Sequence, residues 1–89
     1  MPARARLNEL GLTLPEPPEP AGAYTRAIRA EGLIFVAGQL PLREGEIAYA
    51  GKIGSDLSVD EGYAACQLCA LNALSILEAE IGSLDAVKQ

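Results

Sequence analysis

The feature that most restricts the fold is a long proline-free segment that carries its own capping signal. Ser58 is followed three residues later by Glu61, and this pair satisfies free backbone N–H groups at a helix start. No proline follows before Glu80, and Gly82 suits a helix end. These signals predict a helix over residues 59–80. At about 100° per residue its residues divide into an arc expected to be buried and a side opposite to it. The arc contains Cys66, Ala70, Ala73, Leu74, Leu77 and Ile81, with Cys69 and Ile76 widening it, and Gln67, Ser75 and Glu78 lie opposite.

Such a helix must cover a sheet, and the preceding sequence supplies strand patterns. Residues 33–37 form a continuous apolar run with β-branched and aromatic side chains, typical of a buried strand. Glu31 and Gly32 have turn chemistry, so residues 24–37 predict an antiparallel hairpin. A second turn at Glu44 and Gly45 precedes a possible short strand over residues 46–49. The predicted class is α+β, with the long helix packed on one face of a sheet.

The amino-terminal residues differ from this pattern. Residues 3–10 predict a short helix that ends at Gly11, and four of the six prolines lie within residues 15–20. Each proline removes a hydrogen-bond donor and restricts the residue before it, so this arm is expected to be extended. We therefore divide the chain into a lead-in, residues 1–21, and a domain segment, residues 22–89. Residues 83–89 are expected to lead into a further strand, so the chain resembles the first half of a domain.

Charge and hydropathy disfavour some partners. The formal net charge is −5, and a field of this sign repels phosphate backbones, so nucleic acid is an unlikely ligand. The longest apolar run has roughly five residues, against ~20 for a membrane span. The amino terminus has arginines but no apolar stretch after them, and thus does not predict a secretory signal. Together with only two cysteines, this favours a cytoplasmic protein.

Several short motifs are better explained by structure than by chemistry. Cys66 and Cys69 have Cys-x-x-Cys spacing, but they lie inside the predicted helix, not at its activating amino terminus. Zinc needs four ligands and the chain has no His, so we interpret both as buried small residues and predict no metal site. Residues 51–54 read as a flexible loop. We interpret the acids before and in the first helical turn, Asp56, Asp60 and Glu61, as capping residues. We interpret the arginines of the predicted hairpin, Arg26 and Arg29, as surface charges.

The order of these segments resembles that of a known family. Gly22-Ala23-Tyr24, a strand that ends in Val36-Ala37-Gly38-Gln39-Leu40-Pro41, a turn, Gly51 and a long Ala/Leu helix are similar to the RidA/YjgF/endoribonuclease L-PSP family. The proline-rich lead is similar to its YjgF/chorismate-mutase-like branch. The resemblance covers essentially the whole chain, and it implies a chorismate-mutase-like α+β fold assembled as a homotrimer with ligand clefts between subunits.

The resemblance also implies a chemistry. Many members hydrolyse reactive enamines and imines such as 2-aminoacrylate to a keto acid and ammonia, without a cofactor. Tyr24 would line the cleft, and the backbone at Gly38, with Gln39 beside it, would hold a substrate carboxylate. The family's carboxylate-binding Arg and water-orienting Glu match no residue of this chain, so the catalytic residues are left open. The 89 residues by themselves are expected to form neither a stable monomer nor a competent deaminase.

Two other functions remain open. Ala37 stands where many members have a Ser, so a non-catalytic trimer that binds small molecules is an alternative to the enzyme. Some members were named for ribonuclease activity, which the negative charge disfavours here.

Overall fold

Residues 3–19 and 25–88 are described by a computed structural model, and this part of the chain contains two α-helices and two short hairpins. In chain order the elements are α1 (Ala3–Glu9), β1 (Ala27–Ala30), β2 (Leu33–Val36), β3 (Leu42–Arg43), β4 (Glu46–Ile47), α2 (Val59–Ile81) and a 3₁₀ turn (Leu84–Ala86). Because α2 contacts β1, β2 and β3, the helix forms one layer and the hairpins form the other. The predicted α+β class is confirmed.

The ends of α2 follow the capping signals of the sequence. The Ser58 hydroxyl accepts a hydrogen bond from the Glu61 N–H at 3.1 Å, and the Ser58 N–H donates to the Glu61 carboxylate at 2.9 Å. At the other end Gly82 has φ of 88°, and its N–H donates to the Glu78 carbonyl at 2.7 Å. The predicted helix is thus confirmed, and it is one residue longer than residues 59–80.

Both hairpins close through a Glu followed by a Gly. Glu31 and Gly32 have φ of 49° and 80°, and Glu44 and Gly45 have 54° and 83°. Two successive positive φ values define the type I′ turn, whose twist matches that of the flanking strands. β1 and β2 pair antiparallel, so the predicted first hairpin is confirmed over residues 27–36. The expected burial of its second strand is wrong, because Leu33 and Phe35 are exposed within the chain. Residue 24, where the prediction began, lies outside the described residues.

The predicted third strand is shorter than expected. β4 pairs antiparallel with β3, and the two form a sheet separate from β1 and β2. The Ala48 N–H adds one hydrogen bond to the Pro41 carbonyl at 2.9 Å, beyond which no pairing continues among the described residues. Pro41 lies directly before β3, a position at which proline is tolerated because it begins a strand.

The face of α2 that meets the hairpins is not the arc predicted from hydropathy. Cys66 and Ala70, at the centre of that arc, are exposed, whereas Ser75, expected on the opposite side, is buried. The prediction was wrong for Cys66, Ala70 and Ser75 and correct for Ile76, which is buried, because periodicity does not rank two apolar sides of one helix. The helix residues with the smallest exposed fractions are Leu68 (9%), Asn72 (1%), Ser75 (3%) and Ile76 (4%).

By length and composition alone α2 could cross a membrane. The core helix of a folded domain meets the same criterion. Its contacts with β1, β2 and β3 and its buried Asn72 and Ser75 give it that role here.

The acids Asp60 and Glu61 in the first turn of α2 cap the helix, as expected from the dipole.

α1 ends in a Schellman motif. Gly11 has φ of 72°, its N–H donates to the Asn8 carbonyl at 3.1 Å, and the Leu12 N–H donates to the Leu7 carbonyl at 3.0 Å. This is the pattern in which a left-handed glycine satisfies the last helix carbonyls. The predicted short helix and its glycine end are confirmed, one residue shorter than residues 3–10.

The lead-in packs against the far end of α2. The Arg4 guanidinium pairs with Glu78 at 2.9 Å, and the Arg4 N–H donates to Asp85 at 3.1 Å. Leu7 and Leu84 are buried at this junction, and residues 84–86 form a 3₁₀ turn within the segment that was expected to lead into a further strand. Residues 12–19 contain neither helix nor strand, as their prolines require, and the division between residues 21 and 22 lies outside the described residues.

Candidate functional site

The candidate site is the segment of residues 37–42 that joins β2 to β3, here called the Gly38 loop. It begins where the first hairpin ends, because the Ala37 N–H donates to the Arg26 carbonyl at 2.9 Å. Within the loop the Gln39 side-chain amide donates to the Ala37 carbonyl at 2.8 Å, and the Leu42 N–H donates to the Leu40 carbonyl at 2.8 Å. The second bond closes a tight three-residue turn around Pro41, whose ring restricts φ. The loop is therefore braced by its own groups at both ends.

Asn72 of α2 anchors this loop through two side-chain hydrogen bonds. Its side-chain N–H₂ group donates to the Leu40 carbonyl at 3.2 Å and to the Leu42 carbonyl at 3.0 Å. Only 1% of Asn72 is exposed, and a buried polar group is tolerated where it is hydrogen-bonded. The sequence reasoning missed this residue. The available signal was an Asn one turn from both Leu68 and Ile76, on what is the buried side of the helix.

The anchored loop presents free backbone donors. Within residues 3–19 and 25–88, the N–H groups of Gly38, Gln39 and Leu40 donate to no protein acceptor. Gly38 is exposed, and a β-carbon built on it would meet no atom within 4 Å. Backbone N–H groups that point to the same side of a loop bind an anion such as a carboxylate. The role that the resemblance implies for the backbone at Gly38 stays a prediction.

Of the predicted site residues, the structure places two in this loop. Gly38 lies at its exposed surface, and Gln39 is half-buried with its amide turned back on the loop. Tyr24 lies outside the described residues, so its position relative to the loop stays a prediction. Ala37 contributes no hydroxyl at the loop start.

The strand arginines have structural partners. Arg26 donates to the carbonyls of Pro17 and Pro18, at 3.4 and 3.1 Å, and so ties the proline-rich arm to the hairpin. Arg29 pairs with the Glu80 carboxylate at 3.4 Å and also donates to the Glu80 carbonyl. Neither guanidinium is directed at the Gly38 loop, which fits their interpretation as charges of the strand surface.

The other motifs also have structural explanations, with one correction. Cys66 is exposed, so its interpretation as a buried residue was wrong, while Cys69 is half-buried. Burial raises the pKa of the Cys69 thiol, and the neighbouring Cys66 raises that pKa further, so this thiol is not activated. No cluster of three or more metal-binding side chains occurs within residues 3–19 and 25–88.

The glycine loop before α2 is a turn closed by its own hydrogen bonds. The Asp56 carboxylate accepts a hydrogen bond from the Lys52 N–H at 2.9 Å. The Lys52 carbonyl in turn accepts from the N–H groups of residues 55–57. Gly51 has φ of 120°, and a β-carbon there would lie 2.5 Å from that of Asp56. Asp56 thus has a structural role in the loop, and a glycine is required at residue 51.

Two grooves lie elsewhere on the described surface. One of about 220 Å³ is lined by Arg26, Ile76 and Glu80, among others. One of about 430 Å³ lies between α1, the proline-rich arm and Glu78. Neither of these two grooves includes Gly38 or Gln39.

A capped helix laid across a β-hairpin, with an open backbone loop after the second strand, defines a chorismate-mutase-like α+β domain. The sequence profile described as "YjgF/chorismate_mutase-like, putative endoribonuclease" matches residues 4–89. The chain belongs to this family, and the resemblance seen in its sequence is confirmed.

Relatives of known sequence or structure agree with this assignment. Protein TCP17 of Trypanosoma cruzi is 38% identical over 85 residues, which cover 96% of this chain and 53% of that protein. A crystal structure described as a "putative endoribonuclease" from Shewanella oneidensis superposes with a TM-score of 0.90 at 38% identity, over 97% of this chain and 57% of the other. A protein of unknown function from Agrobacterium tumefaciens gives a TM-score of 0.82 at 36% identity, over 96% and 52%. The chain therefore spans about half the length of these relatives.

Proposed function

We propose that the complete protein hydrolyses reactive enamines and imines of the 2-aminoacrylate type to a keto acid and ammonia. The observation that carries the proposal is the Gly38 loop, which Asn72 holds and in which the N–H groups of Gly38, Gln39 and Leu40 have no acceptor among residues 3–19 and 25–88. These substrates share an α-carboxylate, to which oriented backbone N–H groups donate hydrogen bonds. The reaction class is the one that the resemblance in the sequence implies.

The reaction needs little beyond orientation. The enamine takes a proton on its terminal carbon to give the imine, water adds to the imine carbon, and ammonia leaves to give pyruvate. A protein accelerates this by fixing the carboxylate and by placing a group that moves a proton to or from the water. The Gly38 loop provides the first function. The second, together with a carboxylate-binding Arg, is assigned to the part of the domain that this chain does not contain or to a neighbouring subunit.

A non-catalytic trimer that binds small carboxylates is the alternative. Ala37 favours it, because a Ser there would offer one more hydroxyl beside the ligand. Ribonuclease activity, the function in the family's description, has less support because a net charge of −5 opposes RNA binding.

The test is release of pyruvate and ammonia from 2-aminoacrylate that a dehydratase generates in the cuvette. We expect faster release than in buffer for the complete, folded protein. Tyr24→Phe is expected to lower turnover less than about tenfold, because its hydroxyl would orient the ligand without transferring an obligatory proton. No acceleration by a correctly assembled protein would assign it to the binding class.

A further inference from the structure

We propose that Asn72 is a positioning residue, which holds the Gly38 loop in the conformation in which its backbone binds a carboxylate. Asn72 lies in α2 and donates hydrogen bonds to two carbonyls of the loop. In this proposal it acts through the loop and does not touch the ligand. The identity of the ligand rests on the proposed function, whereas the anchoring of the loop does not.

The geometry of the anchor makes it specific. An Asn side chain has two amide hydrogens, and the two acceptors here are the carbonyls of Leu40 and Leu42. These carbonyls lie on either side of Pro41, and the Leu42 N–H also bonds to the Leu40 carbonyl. One side chain is therefore hydrogen-bonded to both ends of a turn whose conformation Pro41 already restricts. The turn cannot rotate relative to α2 without breaking one of these bonds.

A role in packing alone does not explain an amide at this position. Leu68 and Ile76, one turn before and one turn after, are buried apolar residues, and a Leu at residue 72 would continue that face. Burying an amide carries a desolvation cost that is offset only by its hydrogen bonds. Both of the hydrogen bonds that its amide donates go to the Gly38 loop.

The helix offers a matched control. Ser75 is also buried, at 3% exposure, and its hydroxyl donates to the Asn72 carbonyl at 2.8 Å. This bond stays within the helix and does not reach the Gly38 loop. Ser75→Ala and Asn72→Leu therefore both remove a buried polar group from the same helix, but only Asn72→Leu releases the loop.

The experiment compares Asn72→Leu and Ser75→Ala in the complete protein, with pyruvate as the probe. Binding is followed by the amide NMR shifts of Gly38, Gln39 and Leu40, together with amide hydrogen exchange in the loop. We expect pyruvate to bind about tenfold or more weakly to Asn72→Leu and nearly normally to Ser75→Ala, because small misplacements of a binding group are costly. In the hydrolysis assay the loss should be carried by KM more than by kcat. Equal effects of the two substitutions would overturn the proposal.

Failure of this inference and failure of the proposed function are distinguishable. Pyruvate binding that depends on Asn72, without hydrolysis, supports the positioning role and moves the protein to the binding class. Hydrolysis that Asn72→Leu and Ser75→Ala reduce equally preserves the enzyme and overturns the positioning role. No pyruvate response at the Gly38, Gln39 and Leu40 amides of the unaltered protein overturns the assignment of the carboxylate to this loop.

Two further measurements cover the case in which Asn72→Leu does not fold. Asn72→Ser keeps a hydroxyl donor with less reach, and we expect loop exchange to increase while exchange in the rest of α2 stays normal. In the unaltered protein, the Asn72 side-chain amide hydrogens should exchange slowly with water. Exchange at the rate of a free amide would contradict the anchor directly.

Discussion

Gly38 is proposed to act in binding, whereas Gly51 is needed for folding. Comparing the variants Gly38→Ala and Gly51→Ala tests this difference. Gly38 is not among the glycines with positive φ, and a β-carbon there meets no atom within 4 Å. A glycine replaced by alanine at an unstrained site stabilises a protein by about 0.4–1 kcal/mol. We therefore expect Gly38→Ala to leave stability equal or slightly higher, while the added methyl group obstructs access to the loop donors.

Gly51→Ala is the opposite case. Its φ of 120° is disfavoured for a residue with a side chain, and the new β-carbon would lie 2.5 Å from that of Asp56. The backbone strain is about 1–3 kcal/mol. Moving Asp56 away also costs about 1 kcal/mol, because its hydrogen bond to the Lys52 N–H is lost. A total of about 2–4 kcal/mol would lower Tm by about 10 °C or more in a domain of this size.

The assay is thermal and urea unfolding at a fixed protein concentration, followed by the pyruvate titration on each folded variant. Gly38→Ala should unfold like the parent and bind pyruvate at least about tenfold more weakly. Gly51→Ala should unfold early and, below its transition, bind normally. A Gly38→Ala protein that binds normally would refute the location of the site. One that is strongly destabilised would refute the description of the loop.

Two further predictions concern α2. Ser58→Ala removes the acceptor for the Glu61 N–H and should lower the free energy of unfolding by about 1 kcal/mol, measured by urea unfolding, whereas Ser58→Asp, which retains an acceptor, should stay close to the parent. Cys69 should react with iodoacetamide more slowly than Cys66 in the native protein, because it is half-buried and its raised pKa keeps the thiol protonated to higher pH. Mass spectrometry of the labelled peptides checks this order, and the difference should vanish in denaturant.

The sequence by itself determined the local elements of this protein. The Ser58 and Glu61 capping box, Gly82, and the Glu-Gly turns are signals whose physics acts over a few residues, and each is found where the sequence predicts it. The family was also recognisable, because its order of loop, strand and helix survives in the residues around Gly38.

Only the tertiary structure decided which side of α2 is buried and what that side holds. The helix has apolar residues all round, so the choice between its faces depends on where the hairpins lie, and periodicity contains no such information. The role of Asn72 was likewise decided only by the tertiary structure. From the sequence it is one polar residue in an apolar helix, and it becomes an anchor because folding brings it within 3.2 Å of carbonyls that are 30 and 32 residues earlier in the chain. A hydrogen bond between residues so far apart in sequence leaves no local pattern, since its partners are chosen by packing alone.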